Sequence, residues 1–253
     1  MILLITDTSG KNGSVALARA GESPKPNAVE VIEESPLTGG TFSAQLVPQI
    51  ASLLANHSLN KHDIGAFVVV SGPGSFTGLR VGLAAVKGLA EILQKPIVPV
   101  SLLEVMARSE IFVAAGREAT PEPYVGRFVA ALDAGRGEAF VGQFEIGFTG
   151  KTMSAFRCTS ESLLNFEALA DLIESGDAQW IATPDVVLAE FLNARFPSPA
   201  RCNIFKKAAR PNIHEIATVA WTKLQAGETV SPDQLEANYM RRSDAELFGK
   251  PTS

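Results

Sequence analysis

The chain has 253 residues, enough for one large domain or two small ones. Hydrophobic residues make up 46% of it, which is sufficient to bury a core and excludes disorder as the main state. Only 19% of the residues are charged and the net charge is −5, so we expect a poor stand-alone binder of nucleic acid, which proteins hold largely through Lys and Arg contacts to phosphate.

The two cysteines, Cys158 and Cys202, exclude a disulfide framework and a four-cysteine metal site. The first residues carry an acid at Asp7 and no basic region, which is not typical of a signal peptide. No uncharged apolar run approaches the roughly 18 residues that a membrane span needs. We therefore expect a cytoplasmic protein with no membrane segment.

The first hundred residues predict alternating strands and helices. Apolar runs predict strands at 2–6 and 14–20, joined by a turn that begins at Asp7 and whose Gly and Asn residues tolerate positive φ. A helix at 41–56 is either kinked at Pro48 or starts after it. The remaining predictions are strands at 29–33, 66–71 and 97–100, and a helix at 77–94. This order is typical of an α/β fold.

The second half of the chain repeats the opening pattern. A strand at 125–132 is followed by a turn that Asp133 opens, and a returning strand covers 138–144. The first hairpin has the same arrangement, with Asp7 opening its turn. Further predictions are a helix at 160–174, a strand at 179–182, a helix opened by 183–185 and a helix at 213–224. We interpret the repeat as half-domains at 1–100 and 101–230, followed by a polar tail at 231–253. The helix at 211–226 belongs to the second half-domain or packs back on the first.

The strongest local feature is the glycine-rich turn between the strand at 66–71 and the helix at 77–94. Backbone N–H groups at such a turn can hold phosphate. However, the spacing of Gly72, Gly74 and Gly78 fits neither a P-loop nor a dinucleotide-binding fingerprint. The residues alone favour a tight strand-to-helix connection, capped by Ser75 or Thr77.

The helix at 77–94 has more apolar surface than one sheet can cover. Its small residues predict a groove for the close approach of another helix. That helix is the one at 41–56 of the same chain, a helix of another subunit, or both in a bundle. The predicted dimer interface combines the apolar stripes of the two helices and comprises Phe42, Leu46, Ile50, Gly78, Gly82, Ala85, Leu89 and Ile92.

The sequence contains only weak signals for catalysis or metal binding. His57 and His62 are five residues apart across a loop, not the i, i+4 pair that places two ligands on one helix face. Asp7 and Asp133 could face each other across a cleft and hold Mg²⁺ with a nucleotide, or each could simply open a turn. We therefore predict no catalytic and no metal-binding residues.

The segment at 71–90, SGPGSFTGLRVGLAAVKGLA, resembles the bacterial TsaB (YeaZ) family. Its most specific part is a block formed by Gly72, Pro73, Gly74, Ser75, Phe76, Thr77, Gly78, Leu79 and Arg80. Further similarity lies at 7–9, 46–50, 132–138 and 238–242. The resemblance implies an ASKHA-type (actin/Hsp70-like) α/β fold, with two similar half-domains of mixed sheets flanked by helices.

The resemblance also implies a role. TsaB-like proteins work with TsaD and the ATPase TsaE. Together these proteins transfer a threonylcarbamoyl group to the adenosine beside the anticodon of tRNA. TsaB is similar to TsaD but lacks the His-x-x-x-His metal pair. Residues 41–56 of this chain contain no such pair, and Phe42 stands where a lone histidine is common.

The implied protein is a non-catalytic scaffold that needs no cofactor. It would form a heterodimer with TsaD and a homodimer when alone, and would contact tRNA only through the complex. A second hypothesis stays open, an ATPase or phosphotransferase that binds Mg²⁺-nucleotide weakly through Asp7, Thr8, Ser9 and Asp133.

Overall fold

The computed structural model describes residues 1–21, 29–38, 42–115, 120–150, 152–175, 180–197, 203–206 and 210–241. The strands are β1 (Ile2–Asp7), β2 (Gly13–Ala20), β3 (Val29–Leu37), β4 (Ile64–Gly72), β5 (Ile97–Ser101), β6 (Thr120–Gly135), β7 (Glu138–Gly150), β8 (Thr152–Asn165), β9 (Trp180–Thr183) and β10 (Asn203–Lys206). The helices are α1 (Phe42–Asn56), α2 (Phe76–Leu93), α3 (Leu102–Ala115), α4 (Phe166–Glu174), α5 (Val186–Arg195) and α6 (Ile213–Gln225), with a short 3₁₀ turn at Lys61–Asp63.

Contacts divide the chain into two units, and both are built on the same sheet pattern. The first unit contains Met1–Leu102 and the described residues from Asn212 onward, and the second contains Leu103–Pro211. The sheet orders are β3-β2-β1-β4-β5 and β8-β7-β6-β9-β10. In each sheet the first three strands are antiparallel and the last two connections are parallel. The α/β fold is thus the predicted one, with mixed sheets flanked by helices in two similar units.

The core of the first unit lies between its sheet and helices α1 and α2. Buried apolar side chains of β1, β2 and β4 meet the inner faces of both helices in one cluster, to which Leu37 and Leu235 also belong. The side chains Phe42, Leu46 and Ile50 of α1 are all buried in this cluster. The core of the second unit lies where α4 and α5 cover β6, β7 and β9.

Three local predictions differ from the structure. Helix α1 begins at Phe42 and contains Pro48, so the predicted later start is wrong. The carbonyl of Ala44, which Pro48 leaves without a helical donor, belongs to an exposed residue that water can reach. In the first hairpin, Gly10, Asn12 and Gly13 all have negative φ, so the turn closes without the expected left-handed residue.

Residues 160–165 form the end of β8, although the sequence pattern predicts a helix there. Pairing with β7 extends to the end of β8, with Ser162 opposite Val141 and Asn165 opposite Glu138. Helix α4 begins only after Asn165, whose side chain accepts a hydrogen bond from the Ala168 N–H at 2.7 Å. Cross-strand hydrogen bonds from a distant segment therefore override a local helical pattern.

The C-terminal part of the described chain belongs to the first unit. Helix α6 packs against β3 and β5. Residues 231–241, predicted as part of a polar tail, lie against this unit: the preceding Val230 pairs with Ile97, and Leu235 is buried in the core. The predicted tail residues 242–253 lie outside the described residues. Within the described part of the chain, no helix is both long and apolar enough to span a bilayer.

Candidate functional site

The glycine-rich loop joins β4 to α2. Gly72 has a φ of +143°, which favours glycine, and the peptide bond that follows it, to Pro73, is cis. Ser75 is the N-cap of α2, and its Oγ accepts a hydrogen bond from the Gly78 N–H at 3.3 Å. Of the two predicted caps, the structure therefore uses Ser75.

Three further glycines of this segment lie against the turn of the first hairpin. A Cβ atom built on Gly74 would overlap the Ser9 carbonyl oxygen, one on Gly78 the Thr8 carbonyl oxygen, and one on Gly82 the Thr8 hydroxyl. These glycines therefore permit a close approach within the first unit. The groove predicted at Gly78 and Gly82 is filled mainly by Thr8 of the same chain, and at Gly78 the Phe42 ring of α1 also lies 3.5 Å from the Cβ position.

Hydrogen bonds join the same two segments. The Thr8 hydroxyl donates to the Gly78 carbonyl at 2.7 Å, and the Ser75 N–H donates to the Ser9 carbonyl at 2.7 Å. The Ser9 hydroxyl and N–H both donate to Oδ1 of Asp7, at 2.6 and 2.9 Å. Thr8 and Ser9 are buried. Their hydroxyl groups thus already donate hydrogen bonds inside the unit, whereas binding of a phosphate group would require these donors to be free.

Asp133 opens the matching turn of the second unit. Its Oδ1 accepts from the Gly135 N–H at 2.7 Å, and its own N–H donates to Oδ2 of Asp185 at 2.7 Å. Asp185, the N-cap of α5, makes no side-chain bond to its helix and binds this turn instead. Asp7 and Asp133 lie in different units. That they share a nucleotide cleft stays a prediction.

The outer surfaces of α1 and α2 include a set of apolar residues, which we call the α1–α2 face; the exposed Arg80 and Glu91 of α2 lie outside it. Helix α1 contains no charged residue and exposes Val47 at 54% of its surface. Helix α2, which contacts α1, exposes Ile92 at 74%. The exposed or half-buried residues of the α1–α2 face are Ala44, Val47, Ala51, Ala84, Ala85, Gly88 and Ile92.

Only part of the predicted interface lies on this face. Ala85 and Leu89 are half-buried and Ile92 is exposed, whereas Gly78 and Gly82 are buried. Phe42, Leu46 and Ile50 are core residues of the first unit. Val47 and the exposed alanines were not predicted, because the apolar stripe of α1 on which the predicted interface was based faces inward. The absence of charge from the whole of α1 is the signal that could have identified them.

His57 and His62, the two histidines considered in the sequence, have different surroundings. His57 follows α1 and its Nε2 lies 2.7 Å from Oε2 of Glu33, while His62 is exposed in the 3₁₀ turn. Among the residues that the structure describes, no three His, Cys, Asp or Glu side chains are grouped as a metal site would require.

Comparisons with known proteins are consistent across sequence and structure. The family model described as TsaD, tRNA N6-adenosine threonylcarbamoyltransferase, matches residues 37–247. The tRNA threonylcarbamoyladenosine biosynthesis protein TsaB of Haemophilus influenzae is 26% identical, over 95% of this chain and 94% of its own length. The TsaB protein of Escherichia coli is 24% identical, over 97% and 96%. The solved structure of YeaZ from Pseudomonas aeruginosa is 26% identical, has a TM-score of 0.66, and is matched over 94% of this chain and 99% of that one.

Proposed function

Because this chain belongs to the TsaD family and, within it, to the TsaB (YeaZ) group, we propose that it is a non-catalytic scaffold subunit in tRNA threonylcarbamoyladenosine synthesis. In this proposal it binds the transferase TsaD, works with the ATPase TsaE, and contacts tRNA only through the complex. Relatives that span nearly the whole chain carry the name tRNA threonylcarbamoyladenosine biosynthesis protein, which supports this assignment.

The observation that carries the scaffold role is the α1–α2 face. Contiguous exposed apolar surface on a soluble protein typically marks an interaction site, and depletion of charge is typical of interface cores. Burying one large aliphatic side chain there contributes about 1.5–3 kcal/mol. In this proposal, helices of TsaD pack on the face in a bundle. A second copy of this chain occupies it when TsaD is absent, in a two-fold symmetric dimer.

The alternative, an ATPase or phosphotransferase, has less support from the site. A Mg²⁺-nucleotide needs donors for its phosphate groups, and the hydroxyls of Thr8 and Ser9 already donate within the first unit. Neither the scaffold role nor the interface requires a cofactor.

The decisive experiment is reconstitution of the transfer reaction with cognate TsaD, TsaE, threonylcarbamoyl-adenylate and tRNA, with and without this chain. We expect modification of tRNA only when the chain is present. Full turnover by TsaD and TsaE alone would contradict the scaffold role. Transfer by this chain alone would show that it is an enzyme, and Asp7 and Asp133 would then be the first residues to replace.

A further inference from the structure

The described C-terminal residues pack against α2 and against the strand that follows it, β5. We call residues 230–239 the C-terminal strap. At one end, Val230 exchanges two backbone hydrogen bonds with Ile97, just beyond the end of α2. At the other end, Tyr239 stacks on Phe76, the first residue of α2. Residues 231–235 of the strap form a turn, in which the Gln234 and Leu235 N–H groups both donate to the Ser231 carbonyl at 3.1 Å. The strap therefore begins with this turn and continues from it toward the N-terminal end of α2.

The strap is attached most closely at the N-terminal end of α2. The Asn238 N–H donates to the Ser71 carbonyl at 2.8 Å, and a Cβ atom on Gly72 would lie 2.9 Å from the Asn238 carbonyl oxygen. Tyr239 packs its ring 4.7 Å from that of Phe76. The Arg80 guanidinium lies 3.8 Å above the Phe76 ring, and its Nε donates to the Tyr239 hydroxyl at 3.2 Å. Arg80 thus joins the strap to the first turns of α2.

Between the two ends, Leu235 is the buried side chain of the strap, and Ala237 packs against the same core. Leu235 is buried with Leu79 and Leu83 of α2 in the core of the first unit. A groove of about 370 Å³ stays open between α2 and the strap, with Arg80 and Lys87 among its lining residues. The strap therefore holds α2 through a few separate contacts and not through continuous packing.

Two neighbours of α2 bear on its orientation about its own axis. Helix α1 contacts α2, and Ala84 of the α1–α2 face borders the groove between α2 and the strap. Successive residues of a helix point 100° apart, so the exposed Arg80 and Glu91 lie beside Ala84 and Gly88 on α2. A rotation of α2 would therefore change which of these residues lie next to the outer surface of α1.

We propose that the C-terminal strap positions α2 for partner binding, with Tyr239 and Arg80 as positioning residues. This inference rests on the proposed function, because the partner is the TsaD protein that would bind the α1–α2 face. Tyr239 is 43% exposed, so the fold does not depend on its burial. Its contacts with Phe76 and Arg80 instead stabilise the first turns of α2.

The test compares Tyr239→Ala and Tyr239→Phe in the full-length chain. Affinity for cognate TsaD is measured by calorimetry, and amide hydrogen exchange of residues 76–82 is measured in the free chain. We expect Tyr239→Ala to weaken binding about tenfold, as loss of an aromatic pair and a hydrogen bond would, and to accelerate exchange at 76–82. Tyr239→Phe keeps the ring contacts and should restore most of both quantities.

Two further variants separate positioning from direct contact. Ile92→Ala removes a side chain of the α1–α2 face, so it should weaken binding while exchange at 76–82 stays normal. Val187→Ala, exposed in the second unit, should change neither quantity. Unchanged affinity in Tyr239→Ala, or weaker binding with normal exchange, would overturn the proposal. Failure of the unaltered chain to bind TsaD would instead overturn the proposed function, while the exchange comparison would still report on the strap.

Discussion

At the scale of single residues, the atoms next to each glycine of α2 determine whether a side chain at that position would stabilise or destabilise the protein. Gly78 and Gly82 face the backbone and hydroxyl of Thr8, whereas Gly88 has no atom within 4 Å of an added Cβ. A glycine in a helix is unfavourable by about 1 kcal/mol relative to alanine. At Gly78 and Gly82, the close contact between the loop and the first hairpin compensates for that loss. At Gly88, no contact with the residues that the structure describes does so.

Alanine substitution at two of these glycines should therefore have opposite effects on stability. We expect Gly78→Ala to lower the free energy of unfolding by about 1–3 kcal/mol, because its Cβ overlaps the Thr8 carbonyl oxygen. We expect Gly88→Ala to raise it by about 0.5–1 kcal/mol through helix propensity alone. Urea denaturation of both variants measures the difference, and equal stabilities would contradict the close contact at Gly78.

At the scale of helices, α1 and α2 each have one face in the core and another toward solvent. The inner face holds the Phe42, Leu46 and Ile50 side chains, and the outer face presents Val47 and Ile92. A variant designed to break the interface must therefore alter the outer face. Substitution of Gly82 by a large residue is unsuitable, because it would disrupt the packing against Thr8 before it tested association.

Charge placed on the outer face should separate subunits without unfolding them. We expect Ile92→Lys and Val47→Lys to yield monomers in sedimentation experiments and to abolish binding to TsaD, because each would bury an unpaired ammonium group. Their stabilities should change by no more than about 0.5 kcal/mol, since both side chains are exposed. Val187→Lys in α5 is the matched control. Continued association of both face variants would place the interface elsewhere.

At the scale of the whole molecule, low charge limits what the chain can bind alone. Its net charge of −5 provides little general attraction for the phosphates of nucleic acid. A role in tRNA modification is therefore more compatible with recruitment through partners than with direct recognition of RNA.

This charge balance predicts two results for tRNA. Depletion of the protein in its native cells should remove threonylcarbamoyladenosine from bulk tRNA, as measured by mass spectrometry of nucleosides. The isolated chain should bind tRNA only weakly, with an affinity that falls as salt is raised. Tight, salt-resistant binding by the isolated chain would contradict the view that tRNA is contacted only through the complex.

Most of the fold was accessible from the sequence. Buried strands such as β1 and β4 appear as short apolar runs, and the glycine-rich turn follows β4 as predicted. The matched turns at Asp7 and Asp133 indicated a repeat, which the equal order of the two sheets confirms. These features can be predicted from the sequence because strands, helices and turns depend on residues only a few positions apart, through apolar periodicity and turn-forming residues.

The sequence by itself therefore determined the α/β class, the repeat and the loop that identifies the family. Only the tertiary structure decided which faces are free. Gly78 is buried because Thr8, seventy positions earlier, lies against it, and Tyr239 reaches Arg80 across 159 positions. The strand character of residues 160–165 likewise depends on pairing with β7. A local pattern shows that a residue is suited to close packing, but the neighbour that packs there is set by chain segments far away in sequence.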